Sequence, residues 1–317
     1  MTILILYTRN QGFLSHFFED VSVRLVQDGH QVHNFSLKSR KYKEEENGVL
    51  LTVEKSGSYL KNYYEIFKII KEVEPDVILS NFSYVNPALL FGKLLGVKHN
   101  MIWFHTLISQ MNFKPTNIYI KSKFMNLAST IITNSKELKN EVIDKYYQKQ
   151  GKVHNLPFTT TAAVTVKIEI NLVKLVLAGY KQSDFIEHHK NYHTLKSQII
   201  LLGNLSREEM ADFYNKMDVI VLPSLNEAFG LVLIEALASG CNTIVSSRFG
   251  ALDYIKEDVS TMTFNPLDIE DLKNKLNETL INKKPDQYYK ELYEDNFSLD
   301  EIVKKFLSLI ENKQENL

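Results

Sequence analysis

The hydrophobic pattern in the first half of the chain alternates between short apolar runs and longer amphipathic stretches. The runs are rich in β-branched and aromatic residues and read TILILY, HQVHNF, PDVILS, NMIWFHTL and TIIT. Between them, residues 14–29, 58–74 and 85–97 have the composition and spacing of helices. This alternation predicts a doubly wound parallel sheet covered by helices. Residues 38–47 (KSRKYKEEEN) interrupt the pattern and predict a solvated, charged loop.

The second half repeats the alternation, with apolar runs at KLVLAG, QIILLG, DVIVLP and NTIVSS. Ser206 and Glu209 have the spacing of a capping box and predict a helix start between two of these runs. We therefore predict an α/β fold of two Rossmann-like domains. The predicted divisions are an N-terminal domain at 1–156, a C-terminal domain at 157–295 that is shortened at its start, and a C-terminal helix at 296–317.

The stretch 223–240, PSLNEAFGLVLIEALASG, follows the apolar run DVIVL and combines a polar turn with a helix. Glu227 lies in the turn, and Glu235 lies about two helical turns further on. The neighbours of Glu235 are almost all apolar, so its carboxylate needs polar partners. The N–H groups at the helix start favour an anion, and Gly230 would let a ligand approach the main chain.

This stretch, followed by CNTIVSSRFGALDYI, resembles the C-terminal signature of the family 4 retaining glycosyltransferases, which have the two-Rossmann-domain architecture called GT-B. The similarity extends weakly over nearly the whole chain. The matching positions are Pro223, Ser224, Glu227, Phe229, Gly230, Glu235, Ala236, Ser239 and Gly240.

The resemblance implies a role for each matching acid and for the amides between them. Glu227 is expected to contact the transferred sugar as a catalytic residue, and Glu235 to bind the ribose hydroxyls of the nucleotide. The amides of Phe229, Gly230 and Leu231 are expected to hold the sugar and diphosphate of the donor. The last helix is expected to cross back to the N-terminal domain.

Two positions in the first half are further candidates. Gly12 lies in the loop at residues 9–13 after the first strand, which in the resembling family faces the donor across the cleft. The three-glycine dinucleotide fingerprint is absent from this loop. His105 ends a strand, where ligands bind in such sheets, and the family has a functional histidine at the corresponding place. We therefore include Gly12 in the donor site and His105 among the catalytic residues.

In the resembling family, an arginine and a lysine near the start of the second domain usually bind the donor diphosphate. This sequence departs from that pattern, since residues 158–173 supply at most one strand and no such pair. The diphosphate could instead be bound by Lys181 after the strand KLVLAG, by Arg248, or by the helix start alone. Metal binding by His188 and His189 is a weak alternative, and we predict no metal site.

Composition excludes several classes of protein. The net charge is −1, so no overall basic field favours nucleic acid. Residues 1–155 contain twenty basic and fourteen acidic residues, whereas 156–317 contain seventeen and twenty-four. The basic half would suit an acidic acceptor or peripheral contact with an anionic membrane, but the simpler interpretation is that these charges lie on solvated helix faces. The single cysteine, Cys241, excludes an internal disulfide and fits a reducing compartment, so we expect a cytoplasmic protein, with peripheral attachment to the inner face of the membrane as an option.

The main hypothesis is transfer of a sugar, with retention, from a nucleoside diphosphate sugar to a hydroxyl of a glycan or lipid-linked acceptor in cell-surface glycan or glycoconjugate synthesis. The nucleotide sugar is a substrate, and no cofactor is expected. Two rivals stay open: an inactive relative that binds an active glycosyltransferase, and an epimerase of the same architecture. Nucleotide-dependent stabilisation followed by an assay of donor turnover separates them.

Overall fold

The computed structural model describes residues 1–10, 12–110, 115–158, 174–179, 196–294 and 296–311. The first part of the chain builds one eight-stranded sheet in the order β3-β4-β2-β1-β5-β6-β7-β8. All its pairs are parallel except β3–β4. The strands are β1 (Thr2–Leu6), β2 (Gln31–Lys38), β3 (Tyr42–Glu46), β4 (Val49–Lys55), β5 (Val77–Ser80), β6 (His99–Phe104), β7 (Thr130–Thr133) and β8 (Val153–Asn155).

Helices connect the parallel strands, as the alternating pattern predicts. Ser58 caps one of them by accepting from the N–H of Lys61, and Ser135 caps another by accepting from the N–H of Leu138. These side chains satisfy N–H groups that have no partner within the helix. The helices are α1 (Phe13–Gln27), α2 (Tyr59–Val73), α3 (Val85–Leu94), α4 (Pro115–Met125) and α5 (Lys136–Asp144).

The charged loop predicted at residues 38–47 was wrong in part, because half of it forms the edge strand β3. This strand pairs antiparallel with β4 through a turn at Asn47 and Gly48, where φ is 51° and 77°. Two consecutive positive φ values are typical of the tight hairpin turn that Asn-Gly favours. The side chains of β3 are exposed, so no apolar alternation marked it as a strand.

The second part of the chain forms smaller parallel sheets at the predicted apolar runs. β9 (Leu175–Ala178) pairs with β10 (Ile199–Gly203), and β12 (Thr243–Ser246) lies between β11 (Ile220–Leu222) and β13 (Thr263–Phe264). The predicted shortening at 158–173 falls almost entirely outside the described residues. The helices here are α6 (Arg207–Lys216), α7 (Leu231–Ala238), α8 (Ile269–Ile281), α9 (Asp286–Glu294) and α10 (Leu299–Glu311).

The predicted capping box is present at the start of α6. The Ser206 side chain accepts from the Glu209 N–H, and the Glu209 carboxylate accepts from the Ser206 N–H at 2.7 Å. The last helix, α10, packs on α1 of the first part. Nε of Arg24 in α1 donates to Oδ1 of Asp300 in α10 at 2.5 Å.

Aromatic side chains join the two parts of the molecule into one core. Phe158 stacks on Trp103 with ring centroids 5.5 Å apart, and its other side meets Phe229 edge-on, also at 5.5 Å. Phe229 in turn contacts Phe297 at 6.2 Å. Such aromatic pairs contribute roughly 0.5–1.5 kcal/mol each beyond the area they bury. This packing fixes how the turn that carries Phe229 faces the first sheet.

Candidate active site

The turn that carries Glu227 connects β11 to α7 at the carboxyl edge of its sheet, where ligands bind in α/β proteins. Its backbone is held on both sides. The N–H of Glu227 donates to the Arg248 carbonyl at 3.1 Å, and the N–H of Gly250 donates to the Glu227 carbonyl at 3.1 Å. The side chain of Glu227 is half-buried. The main chain is thus locked while the carboxylate remains accessible.

Gly230 begins α7 with φ at 94°, in the left-handed region. A Cβ at this position would lie 2.1 Å from Cδ1 of Phe249 and 3.2 Å from Cγ of Glu227. The absence of a side chain is therefore required by the packing of Phe249, in addition to any approach by a ligand. That reason was not visible in the sequence.

Phe229 contributes its side chain to the core, where it is buried among Phe158, Tyr254 and Phe297. Only its backbone is placed to meet a ligand. Within the described residues no acceptor is recorded for the N–H groups of Phe229, Gly230 and Leu231. The start of α7 thus offers the group of N–H donors that the sequence predicted.

Glu235 lies half-buried in α7 and has the polar partner that its apolar neighbours required. The hydroxyl of Tyr214, from α6, donates to Oε2 of Glu235 at 2.8 Å. Burial, and then the charge on Glu235, raises the pKa of Tyr214 well above its usual range. Tyr214 was not singled out in the sequence, because a tyrosine two elements away gives no local signal of this contact.

His105 follows β6 directly and is half-buried. Its ring lies 4.4 Å from that of Phe82 and 6.0 Å from that of Phe158. Burial, together with the nearby charge on Lys121, lowers the pKa of His105 to about 4. The imidazole is therefore neutral at pH 7, so it can donate or accept a hydrogen bond without carrying charge.

The Glu227 turn meets the first part of the molecule close to His105. Nδ2 of Asn226 donates to Oγ of Ser109 at 3.1 Å, across the junction of the two parts. A second contact follows at the N-terminus of α5, where the N–H of Lys136 donates to Oδ2 of Asp253 at 2.6 Å. These bonds place the turn with Glu227 beside the loop that follows β6.

Gly12 precedes α1 in the loop that follows β1, and its N–H donates to Oδ1 of Asn10 at 2.8 Å. The sheet order reverses between β1 and β5, since the chain first runs outward through β2 and then returns to β5. Ligand crevices form at such a switch point. Gly12 is exposed at this edge. Its part in donor binding stays a prediction.

Of the other residues predicted to bind the diphosphate or a metal, the structure describes only Arg248. Lys181, His188 and His189 lie outside the described residues. Arg248 is exposed, and its carbonyl accepts from the Glu227 N–H, so it is next to the turn. In the part of the chain that the structure describes, no three metal-ligating side chains come together.

No described helix is both long and apolar enough to cross a bilayer.

A cavity of about 430 Å³ opens beside His105, between α4 and the turn that follows β5. Phe82, Ile120 and Lys121 line it together with His105. Sequence reasoning gave no role to the first three residues, because they are distant in the chain and none belongs to a motif. Only the fold brings them together.

Solved structures share this architecture over the whole chain. The sucrose-phosphate synthase of Thermosynechococcus elongatus matches with a TM-score of 0.75 and 16% identity, covering 100% of both chains. The Anabaena protein HepE, solved with UDP, matches with a TM-score of 0.76 and 14% identity, covering 98% of this chain and 100% of its own. The two Rossmann-like domains thus define a protein of the GT-B class.

Two family models match consecutive parts of the sequence. The Glycosyltransferase Family 4 model matches residues 15–157, and the Glycosyl transferases group 1 model matches residues 146–296. The chain belongs to this family of GT-B glycosyltransferases, in agreement with the resemblance of its C-terminal signature.

Curated relatives match either over a short part of the chain or over a longer part at lower sequence identity. The uncharacterised glycosyltransferase MJ1607 of Methanocaldococcus jannaschii is 32% identical over 100 residues, which is 31% of this chain and 26% of the relative. Sulfoquinovosyl transferase SQD2 of Arabidopsis thaliana is 39% identical over 24% of this chain and 16% of its own length. The chain thus spans about a quarter or less of these two. MJ1178, another uncharacterised glycosyltransferase of M. jannaschii, is 27% identical over 71% of this chain and 72% of the relative.

Proposed function

We propose that this protein transfers a sugar from a nucleoside diphosphate sugar to an acceptor hydroxyl, with retention at the anomeric carbon. The observation that carries the proposal is the position of the Glu227 turn. It lies at the carboxyl edge of one sheet and is bonded through Asn226 to Ser109 in the loop after His105. This contact supports a site at the junction between the two Rossmann-like domains that is formed by the carboxylate of Glu227, the neutral imidazole of His105 and the N–H groups at the start of α7.

Each group has a distinct task in this reaction. The acceptor oxygen forms a bond to the anomeric carbon, the bond to the diphosphate oxygen breaks, and the hydroxyl proton passes to the leaving diphosphate. The N–H groups of Gly230 and Leu231 stabilise the charge that develops on the leaving group, a contribution of several kcal/mol where donors are preorganised. Glu227 orients the sugar, and neutral His105 can bond a hydroxyl of donor or acceptor.

Glu235 has the nucleotide ribose as its proposed ligand. The hydrogen bond from Tyr214 to Oε2 holds the carboxylate in one orientation. A carboxylate fixed in this way is suited to accept hydrogen bonds from the two hydroxyls of the ribose. HepE of Anabaena was crystallised with UDP and with UDP-glucose, which makes uridine diphosphate the first nucleotide to test here.

A more specific part of the proposal concerns the acceptor. A serotype-specific mannosyltransferase, WbdA, of Escherichia coli is 32% identical over 37% of this chain. A lipopolysaccharide 1,2-N-acetylglucosaminetransferase of Salmonella typhimurium is 24% identical over 44% of it. These names support an acceptor that is a glycan or a lipid-linked glycan of the cell surface.

Nucleotide binding to the Glu235→Ala variant tests the donor site. We expect UDP affinity, measured by calorimetry, to fall by roughly 1–3 kcal/mol because a charge-assisted hydrogen bond is lost. Glu208→Ala is the matched control, since Glu208 is exposed on α6 and outside the site. Unchanged UDP affinity in Glu235→Ala would contradict the assignment.

Turnover of the Glu227→Gln variant tests the catalytic side. The rate of sugar transfer should fall more than UDP affinity, because Glu227 is proposed to contact the sugar and not the nucleotide. An equal loss of both would count against this role. Wild-type protein that binds UDP but shows no donor turnover with any acceptor would instead favour a binding partner of an active enzyme.

A further inference from the structure

The cavity beside His105 lies at the carboxyl ends of β5 and β6. Its volume of about 430 Å³ is within the range of small-molecule sites. The exposed area of its wall is mainly apolar, through Phe82, Trp103, Phe104 and Ile120, and the side chains of Ser83, Asn86, Thr106 and Asn117 add neutral polar groups. Such a wall favours an apolar group over a bare sugar.

The charge on the described lining of the cavity is positive. Lys121 of α4 lines it with its ammonium 4.4 Å from the centroid of the Phe104 ring. None of the described residues that line the cavity is acidic, and His105 is neutral. Burial lowers the pKa of Lys121 to about 8, so the ammonium is still charged at pH 7 but is poorly hydrated. An anion that enters the cavity would therefore meet a cation that has already lost part of its hydration on folding.

The backbone at the mouth of the cavity is strained. Phe82 has φ at 50°, a value that is rare for a bulky residue. This conformation places a ring that is 43% exposed at the mouth and against His105. Ile120, 50% exposed, also lines the cavity. Strained residues of this kind cluster at active sites and ligand-binding sites.

We propose that this cavity binds the acceptor through an anionic amphiphile, that is, an apolar chain or aglycone that carries a phosphate. The phosphate would pair with the ammonium of Lys121, and the apolar part would lie against Phe82 and Ile120. Since His105 borders both the cavity and the junction with the Glu227 turn, the acceptor hydroxyl would point toward the donor. The acceptor role rests on the proposed transferase function, whereas the binding itself does not.

Trp103 makes the binding measurable without catalysis. It is the single tryptophan of the chain, and it lines the cavity. Octyl phosphate, titrated below its micelle concentration, should change the Trp103 fluorescence saturably. Octyl glucoside supplies the chain without the charge, and inorganic phosphate supplies the charge without the chain. We expect each to bind at least about tenfold more weakly, because each lacks one of the two contacts.

Substitutions on α4 separate a specific ion pair from general attraction. Lys121→Met should weaken octyl phosphate binding about tenfold or more and leave octyl glucoside binding unchanged, and Lys121→Arg should restore the phosphate preference. Lys123→Met is the control, because Lys123 is exposed on the same helix with its ammonium 5.0 Å from the Tyr119 ring. Its affinity for octyl phosphate should equal that of the wild type.

The inference would be overturned if the folded wild type gave no saturable response to octyl phosphate, or if Lys121→Met and the wild type bound it with equal affinity. Inorganic phosphate that binds as tightly as octyl phosphate would also overturn it, since the site would then take a free anion. UDP binding, measured on the same samples, tests the donor site separately. UDP binding without octyl phosphate binding would refute this inference alone. Octyl phosphate binding without binding of UDP or any other nucleoside diphosphate would leave the cavity assigned and contradict the transferase proposal.

Discussion

Replacing Gly230 with alanine is the most direct test of how the Glu227 turn is held. The added Cβ would lie 2.1 Å from a ring carbon of Phe249, so the ring must move. The same Cβ would lie 3.2 Å from Cγ of Glu227. The substitution therefore disturbs both the packing below the turn and the proposed catalytic carboxylate.

Two terms give the size of the effect. The left-handed backbone, with φ at 94°, costs alanine about 1–2 kcal/mol. Overpacking against a buried ring costs typically about 1–3 kcal/mol. We expect the free energy of unfolding of Gly230→Ala to fall by about 2–5 kcal/mol. In Gly29→Ala only the backbone term applies, because Gly29 has φ at 85° and, among the described residues beyond its two chain neighbours, no atom lies within 4 Å of the place that its Cβ would take.

Urea unfolding, followed by the fluorescence of Trp103, measures both variants. Adding Phe249→Leu to Gly230→Ala should recover part of the loss, since the smaller side chain removes the overlap but not the backbone strain. UDP affinity of Gly230→Ala should also fall, because the start of α7 shifts. If Gly230→Ala costs no more than Gly29→Ala, or if Phe249→Leu brings no recovery, the packing argument for the turn is refuted.

Two further predictions concern buried polar groups. Tyr214→Phe removes the hydrogen bond to Glu235 and should lower the free energy of unfolding by about 1–3 kcal/mol in a urea titration, while an unchanged midpoint would show that the bond contributes nothing. Relative to a Lys121→Met variant, the wild type should gain stability between pH 8 and pH 10.5, because the folded protein releases the Lys121 proton near pH 8 whereas the unfolded chain keeps it to its usual pKa of 10.5. The rise should be on the order of 1–3 kcal/mol in urea titrations at each pH, and a Lys121→Met variant with the same slope would contradict the assignment.

The regular elements could be predicted because they depend on neighbours in the sequence. The apolar runs gave the positions of β1, β5 and β7, and Ser135 and Ser206 gave two helix starts. The edge strand β3 was missed, because its exposed side chains do not alternate in polarity. The Asn47-Gly48 turn was its one local signal.

The candidate site was predictable only in part, for a physical reason. Glu227 and Glu235 are marked by their own neighbours, since a carboxylate in an apolar helix needs a partner wherever it lies. The identity of that partner, Tyr214, depends on how α6 packs on α7.

The sequence by itself determined the alternation of strands and helices, the two acids and the family. Only the tertiary structure decided that Gly230 must lack a side chain because of Phe249, and that Lys121 joins His105 in one cavity. Periodicity and capping act over a few residues and are legible along the chain. Close approach between distant segments depends on three-dimensional packing, so it becomes visible only once the chain has folded.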